Sequence, residues 1–151
     1  MNNLTNYINQ IVKFGINPNV DVENKTNYLK KLLLGIYYEY TIIDTCCDEN
    51  LSKDEPEFDS SLIRKNIEEN FPDFDFYYSV LDSHNIDVDP EVSVGDVLDD
   101  LTDIIKGFLI VNWKIYNTNK NDALWHFKFF MSSHLEQHLV DFLKYLKAKV
   151  G

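Results

Sequence analysis

The sequence predicts an all-α protein, a single-domain bundle of four to six helices, and three observations carry that expectation. Apolar side chains recur every three or four residues over most of the chain, the period of a helix with one buried face. Glycine and proline number only five and four among 151 residues, too few to supply the tight turns of a sheet protein. The polar connectors between the periodic stretches are short, as they are between helices packed antiparallel. A chain of this length with 44% hydrophobic residues can bury a substantial core.

Taken in order, Leu4, Ile8, Ile11 and Val12 predict an amphipathic helix over residues 3–14, ended near Gly15 and Pro18. After a polar connector at 17–24, Leu29, Leu32, Leu33, Ile36, Tyr37, Tyr40 and Ile43 keep the helical period from about Thr26 to Ile43. Residues 44–58 read as a charged loop. Asp59 or Ser60 caps a short helix through Leu62, Ile63 and Ile67 that stops before Pro72. Residues 73–78 alternate acid and aromatic, and both an extended segment and a short helix running through Val80 and Leu81 remain open. Residues 83–90 form a loop. Val94, Val97, Leu98, Leu101, Ile104, Ile105, Phe108 and Leu109 then predict a long helix to about Tyr116. Asn121, closing the turn 117–121, is the expected N-cap of a last helix carrying Leu124, Phe127, Met131, Leu135, Leu139, Phe142 and Leu146. Its terminal Lys144, Lys147 and Lys149 suit the negative end of the helix dipole. Trp113 and Trp125 are expected to pack the bundle.

Charge is strongly segregated. Of 25 acidic residues, 19 lie between Asp44 and Asp103, opposed there only by Lys53, Arg64 and Lys65. That window carries −16 while the rest of the chain carries +5. A face of this kind attracts cations and basic partners and repels nucleic acid. With Arg64 the single arginine, bidentate phosphate clamps are also hard to build. No leader pattern opens the chain, and the longest apolar runs are about seven residues against the ~20 of a membrane span. The adjacent pair Cys46 and Cys47 reads as two free thiols in a reducing, cytoplasmic setting.

Asp96, Asp99, Asp100 and Asp103 stand at i, i+3, i+4 and i+7, on one face of a helix. The plain expectation is a solvated face with negative charge near the helix N-terminus; the sharper one is a partner-docking stripe or a divalent-cation site. Asp99-Asp100-Leu101-Thr102-Asp103 also matches D-D-x-x-D, with which helical synthases hold magnesium and a diphosphate, but no second aspartate-rich helix accompanies it. His134 and His138 stand at i, i+4, a spacing that binds a transition metal only when both rings face a third ligand. No zinc-protease or di-iron signature accompanies them, so histidines facing solvent or capping packed helices are expected. Neither a metal site nor a cofactor is expected.

The run Asp99-Asp100-Leu101-Thr102-Asp103-Ile104-Ile105-Lys106, with Asn121-Asp122-Ala123-Leu124-Trp125-His126-Phe127 beyond a polar turn, resembles the bacterial domain-of-unknown-function 5063 family. Leu139-Val140-Asp141-Phe142-Leu143-Lys144-Tyr145-Leu146 is similar to that family's closing helix. The resemblance covers about residues 92–148 and departs at Ser133-His134, where the family usually has Trp-Gly. It implies an all-helical fold and, the family's activity not being established, carries over no catalytic residues.

The expected function is therefore that of a non-catalytic binding protein, an immunity- or antitoxin-type inhibitor that docks a basic protein, such as a toxin, through its acidic face. The residues expected to meet the partner are Asp96, Asp99, Asp100, Asp103, Asp73, Asp75, Tyr77 and Tyr78, while Phe74 and Phe76 are expected in the core. A structural adaptor and a metal-dependent diphosphate enzyme are the alternatives.

Overall fold

The computed structural model describes residues 1–45 and 54–150. Cys46 and Cys47, and Asp48 and Glu49 of the expected loop, lie outside the described residues. The helices are α1 (Asn2–Ile11), α2 (Lys13–Ile16), α3 (Lys25–Ile42), α4 (Ser60–Asn70), α5 (Val97–Asn117), α6 (Lys120–Phe130) and α7 (Glu136–Val150). A π-helical turn, Met131–Leu135, joins α6 to α7 without leaving the helical conformation, so the last three pieces form one rod.

The caps follow the side chains that can provide them. Asp59 accepts from the backbone N–H groups of Ser61 and Leu62 at the start of α4, and Asp96 from those of Leu98 and Asp99 at the start of α5. Asn24 caps α3 from the left-handed region, which asparagine tolerates. The cap of α6 is Asn119, which accepts from Asp122 N, two residues before the expected Asn121.

The architecture is mostly helical but not purely all-α. Strands β1 (Phe76–Leu81) and β2 (Glu91–Asp96) pair antiparallel, with Tyr77 opposite Gly95 and Tyr78 opposite Val94. The physical reason lies in composition: Phe-Tyr-Tyr-Ser-Val-Leu and Val-Ser-Val are β-forming runs whose alternation fits a ribbon with unlike faces. Val94, expected on the long helix, therefore sits in β2, and the chain passes from Asp96 directly into α5.

Helix α5 is the axis of the molecule. Its Val97, Leu101, Ile104, Ile105 and Phe108 are fully buried, and it touches α1, α2, α4, α6 and α7. Helix α3 closes the outside, against α1 and α7. Gly107 lets the rod approach, since a Cβ there would stand 2.7 Å from Leu135 Cδ1. On α4, buried Asn70 accepts from Val20 N at 2.9 Å and donates to Asn17 O at 2.7 Å, satisfying the backbone of the α2–α3 connector.

Among the described residues one ion pair is wholly interior. Lys114 Nζ of α5 lies 3.5 Å from Asp122 Oδ2 of α6, with both side chains removed from solvent. His126 Nδ1 is 3.0 Å from Asp122 Oδ1, and its Nε2 is 3.4 Å from Glu55. Asp122→Ala, which strips a buried cation of this carboxylate, should lower the unfolding free energy by about 3–5 kcal/mol. Asp99→Ala, on the exposed side of α5, should cost less than about 1 kcal/mol in the same denaturant titration.

Candidate binding face and the polar cluster beneath it

Strand parity gives the hairpin two unlike faces. Phe76, Tyr78 and Val80 share the outer face with Val92 and Val94 through the register, and all five are exposed. Phe76 is 65% and Tyr78 77% accessible, values that mark them as unpartnered rather than half-packed. Phe76, expected in the core, is thus a surface residue, because the strand begins there and alternation sends Tyr77 inward. Phe74, one step before the strand, is buried as expected, stacked on Phe71 with ring centroids 4.7 Å apart. Carboxylates frame the apolar face: Asp73, Asp75, Asp82, Asp87, Asp89 and Glu91 are all exposed. No lysine or arginine occurs from residue 66 to 105.

The inner face is polar and covers a cleft of about 640 Å³ whose lining includes Tyr77, Ser79, Ser93, Asp100, His138 and Asp141. Tyr77 donates its hydroxyl to Asp100 Oδ2 at 2.5 Å. The ring lies across Gly95, where any Cβ would fall inside it. Burial, then the bond to Asp100, pushes the Tyr77 hydroxyl well above its ordinary value, so it remains a donor.

Asp100 is only 6% exposed, and its second oxygen faces His138 Nδ1 at 2.7 Å. That contact, reinforced by the charges of Asp100, Asp103 and Asp141 and opposed by burial, holds His138 above the usual imidazole range. His138 Nε2 in turn lies 2.9 Å from His134 Nε2 and 3.6 Å from Asp103 Oδ2. His134 Nε2 is 3.3 Å from the same Asp103 oxygen. Thus Tyr77, Asp100, His138, His134 and Asp103 make one continuous polar chain, from the hairpin through α5 to the rod.

The four aspartates expected as one stripe divide into two pairs. Asp96 and Asp99 both turn to Arg64 of α4, Asp96 Oδ2 standing 2.8 Å from its guanidinium. Asp100 and Asp103 turn to the histidines. Asp100 is therefore a buried hydrogen-bond acceptor and no part of a solvated face. Asp75 accepts from the Tyr145 hydroxyl at 2.7 Å, which with Lys149 holds its carboxyl below the ordinary range. Lys149 also donates to the backbone carbonyl of Asp73, whose side chain stays in solvent. Of the expected contact residues, Asp73, Asp75, Asp99 and Tyr78 are exposed and Asp103 is partly so, while Tyr77 points inward. Sequence reasoning missed Phe76, Val92 and Val94 as surface residues. It also lacked the third group that the His134–His138 spacing requires.

The chain belongs to the family described as Domain of unknown function (DUF5063), whose profile matches residues 15–150, nearly the full length. Its structure is similar to that of protein BF1032 from Bacteroides fragilis, with a TM-score of 0.71 at 14% identity over 96% of this chain and 88% of that one. At such identity the likeness shows the fold alone. A comparison with curated proteins finds no match.

Because Asp100 raises the His138 pKa, an NMR titration in chelator-treated buffer should place His138 above the ordinary imidazole value of about 6.5, and Asp100→Asn should bring it down. A raised folded value means that His138 stabilises the fold fully below about pH 6.5 and that this contribution is lost as the pH climbs through the folded value. Wild-type stability should therefore fall across that window more than that of Asp100→Asn; an unmoved His138 titration in the variant would refute the assignment.

Proposed function

We propose that this DUF5063 protein is a non-catalytic binding protein whose hairpin docks a basic protein partner, as an immunity- or antitoxin-type inhibitor docks a cationic toxin. The observation that carries this reading is the apolar outer face of the hairpin, two aromatic and three valine side chains on a two-stranded ribbon framed by carboxylates. Burying Phe76 or Tyr78 against a partner contributes about 1.5–3 kcal/mol each, and tyrosine is among the side chains that dominate interface energies. The carboxylates around them steer a cationic partner and exclude acidic ones. Among the described residues no further strand pairs with either long edge of the ribbon, which leaves both edges available for strand addition.

The alternative of diphosphate chemistry on D-D-x-x-D draws no support from the geometry. Asp99 faces Arg64, Asp100 is committed to Tyr77 and His138, and Asp103 faces the histidines. The three carboxylates therefore do not converge on a shared magnesium. Among the described residues no helix is long and apolar enough to cross a membrane.

The test is co-purification of the whole chain with basic proteins encoded beside it, followed by affinity measurement on the recovered pair. Phe76→Ala and Tyr78→Ala should each weaken the complex by roughly 10–100-fold without moving the thermal midpoint, since both side chains are exposed. Raising salt from about 50 to about 500 mM should slow association at least roughly tenfold. An affinity indifferent to both substitutions would sink the hairpin as the docking surface, and indifference to salt would sink the steering.

A further inference from the structure

We infer that Asp103, His134 and His138 form a binding site for a divalent transition-metal ion, zinc foremost, whose remaining coordination positions are open to solvent or to an added ligand. Their donor atoms converge, with His138 Nε2 to His134 Nε2 at 2.9 Å, His134 Nε2 to Asp103 Oδ2 at 3.3 Å and His138 Nε2 to Asp103 Oδ2 at 3.6 Å. Tetrahedral donors about 2.0–2.1 Å from a zinc ion stand about 3.3–3.4 Å from one another. The three separations bracket that edge length, so the atoms mark one face of a distorted tetrahedron that small side-chain rotations would regularise. Two imidazoles and one carboxylate suit zinc, cobalt, nickel or iron, whereas magnesium and calcium prefer oxygen alone.

An independent observation points the same way. An ionised carboxylate only accepts hydrogen bonds, so Asp100 Oδ1 at 2.7 Å requires the proton of neutral His138 to sit on Nδ1. The lone pair of Nε2 is then aimed at His134 and Asp103. A carboxylate behind the far nitrogen is the usual way in which a metal-ligating histidine is oriented. Asp100 itself is fixed by burial and by Tyr77. The site's other imidazole comes from the π-helical turn, and such wide turns recur at functional positions. Side-chain exposures of 59% for His134 and 47% for Asp103 leave the opposite side of the cluster open, while His138 also lines the cleft under the hairpin.

The experiment is calorimetric titration of the chelator-stripped whole chain with zinc chloride, with cobalt followed in parallel by visible absorption. One ion per chain with micromolar or tighter affinity is expected, with no response to magnesium. His134→Ala and Asp103→Ala should weaken zinc at least roughly tenfold, and Asp100→Asn, which touches no metal, roughly 10–100-fold. Asp99→Asn, on the same helix but turned to Arg64, should leave the affinity unchanged. His134 and Asp103 are exposed enough that their loss leaves the fold intact, which the metal-free thermal midpoints check. Zinc held equally well by His134→Ala would place the ion elsewhere and overturn the assignment, as would the absence of binding at about 100 µM zinc. This inference is independent of partner docking, since its readout requires no partner.

Discussion

Two charges buried on one helix govern how the rest of the molecule is arranged. Helix α5 is buried against neighbours on several sides, yet it carries Asp100 near its first turn and Lys114 near its last, both withdrawn from water. Each would cost several kcal/mol if left uncompensated. Both are met by the final rod, Lys114 by Asp122 and Asp100 by His138. Apolar packing, with Leu135 seated over Gly107, already sets the register of the rod along α5. Two charge contacts at opposite ends, about 21 Å apart along α5 at 1.5 Å per residue, reinforce that register.

The same commitment organises the polar chemistry. Asp100 cannot face solvent, so its second oxygen takes the hydroxyl of Tyr77 and thereby fastens the inner side of a hairpin that would be marginal by itself. Asp75 and Tyr145 fasten its base. With the inner face spoken for, alternation leaves Phe76, Tyr78, Val92 and Val94 to the outside. The exposed apolar face and the histidine–aspartate cluster are therefore two products of one strand parity.

Much of this was legible in the sequence. The helical period and the cap at Asp59 located the helices to within a few residues, and the resemblance seen over 92–148 proved to belong to a family match over 15–150. The hairpin was not legible because its strands are separated by the nine-residue loop 82–90 with no two-residue turn signal, and because Val94 lies in phase with the stripe of α5. The π-helical turn was not anticipated, the stripe from Leu124 to Leu146 being read as one continuous helix, although Phe127, Met131, Leu135 and Leu139 are three successive four-residue steps. In an unbroken α-helix these would rotate the stripe by about 120°, and the wide turn absorbs that drift. The division of the four aspartates was beyond reach, since nothing local distinguishes Asp100, whose partners lie 23 and 38 residues away. Likewise the third group facing the two histidines sits 31 residues before His134.

The crossing of Tyr77 over Gly95 has a consequence for how such a sequence drifts over time. The ring occupies the space that any side chain at position 95 would need, so position 95 is not free to vary while the ring remains. A larger residue at 95 is acceptable only in a lineage that has already given up the aromatic ring at 77, and giving up the ring removes a hydrogen bond from a buried carboxylate. The dependence runs one way: among relatives of this chain, a residue larger than glycine at 95 should occur only where the tyrosine at 77 has gone, whereas the glycine can outlast the tyrosine.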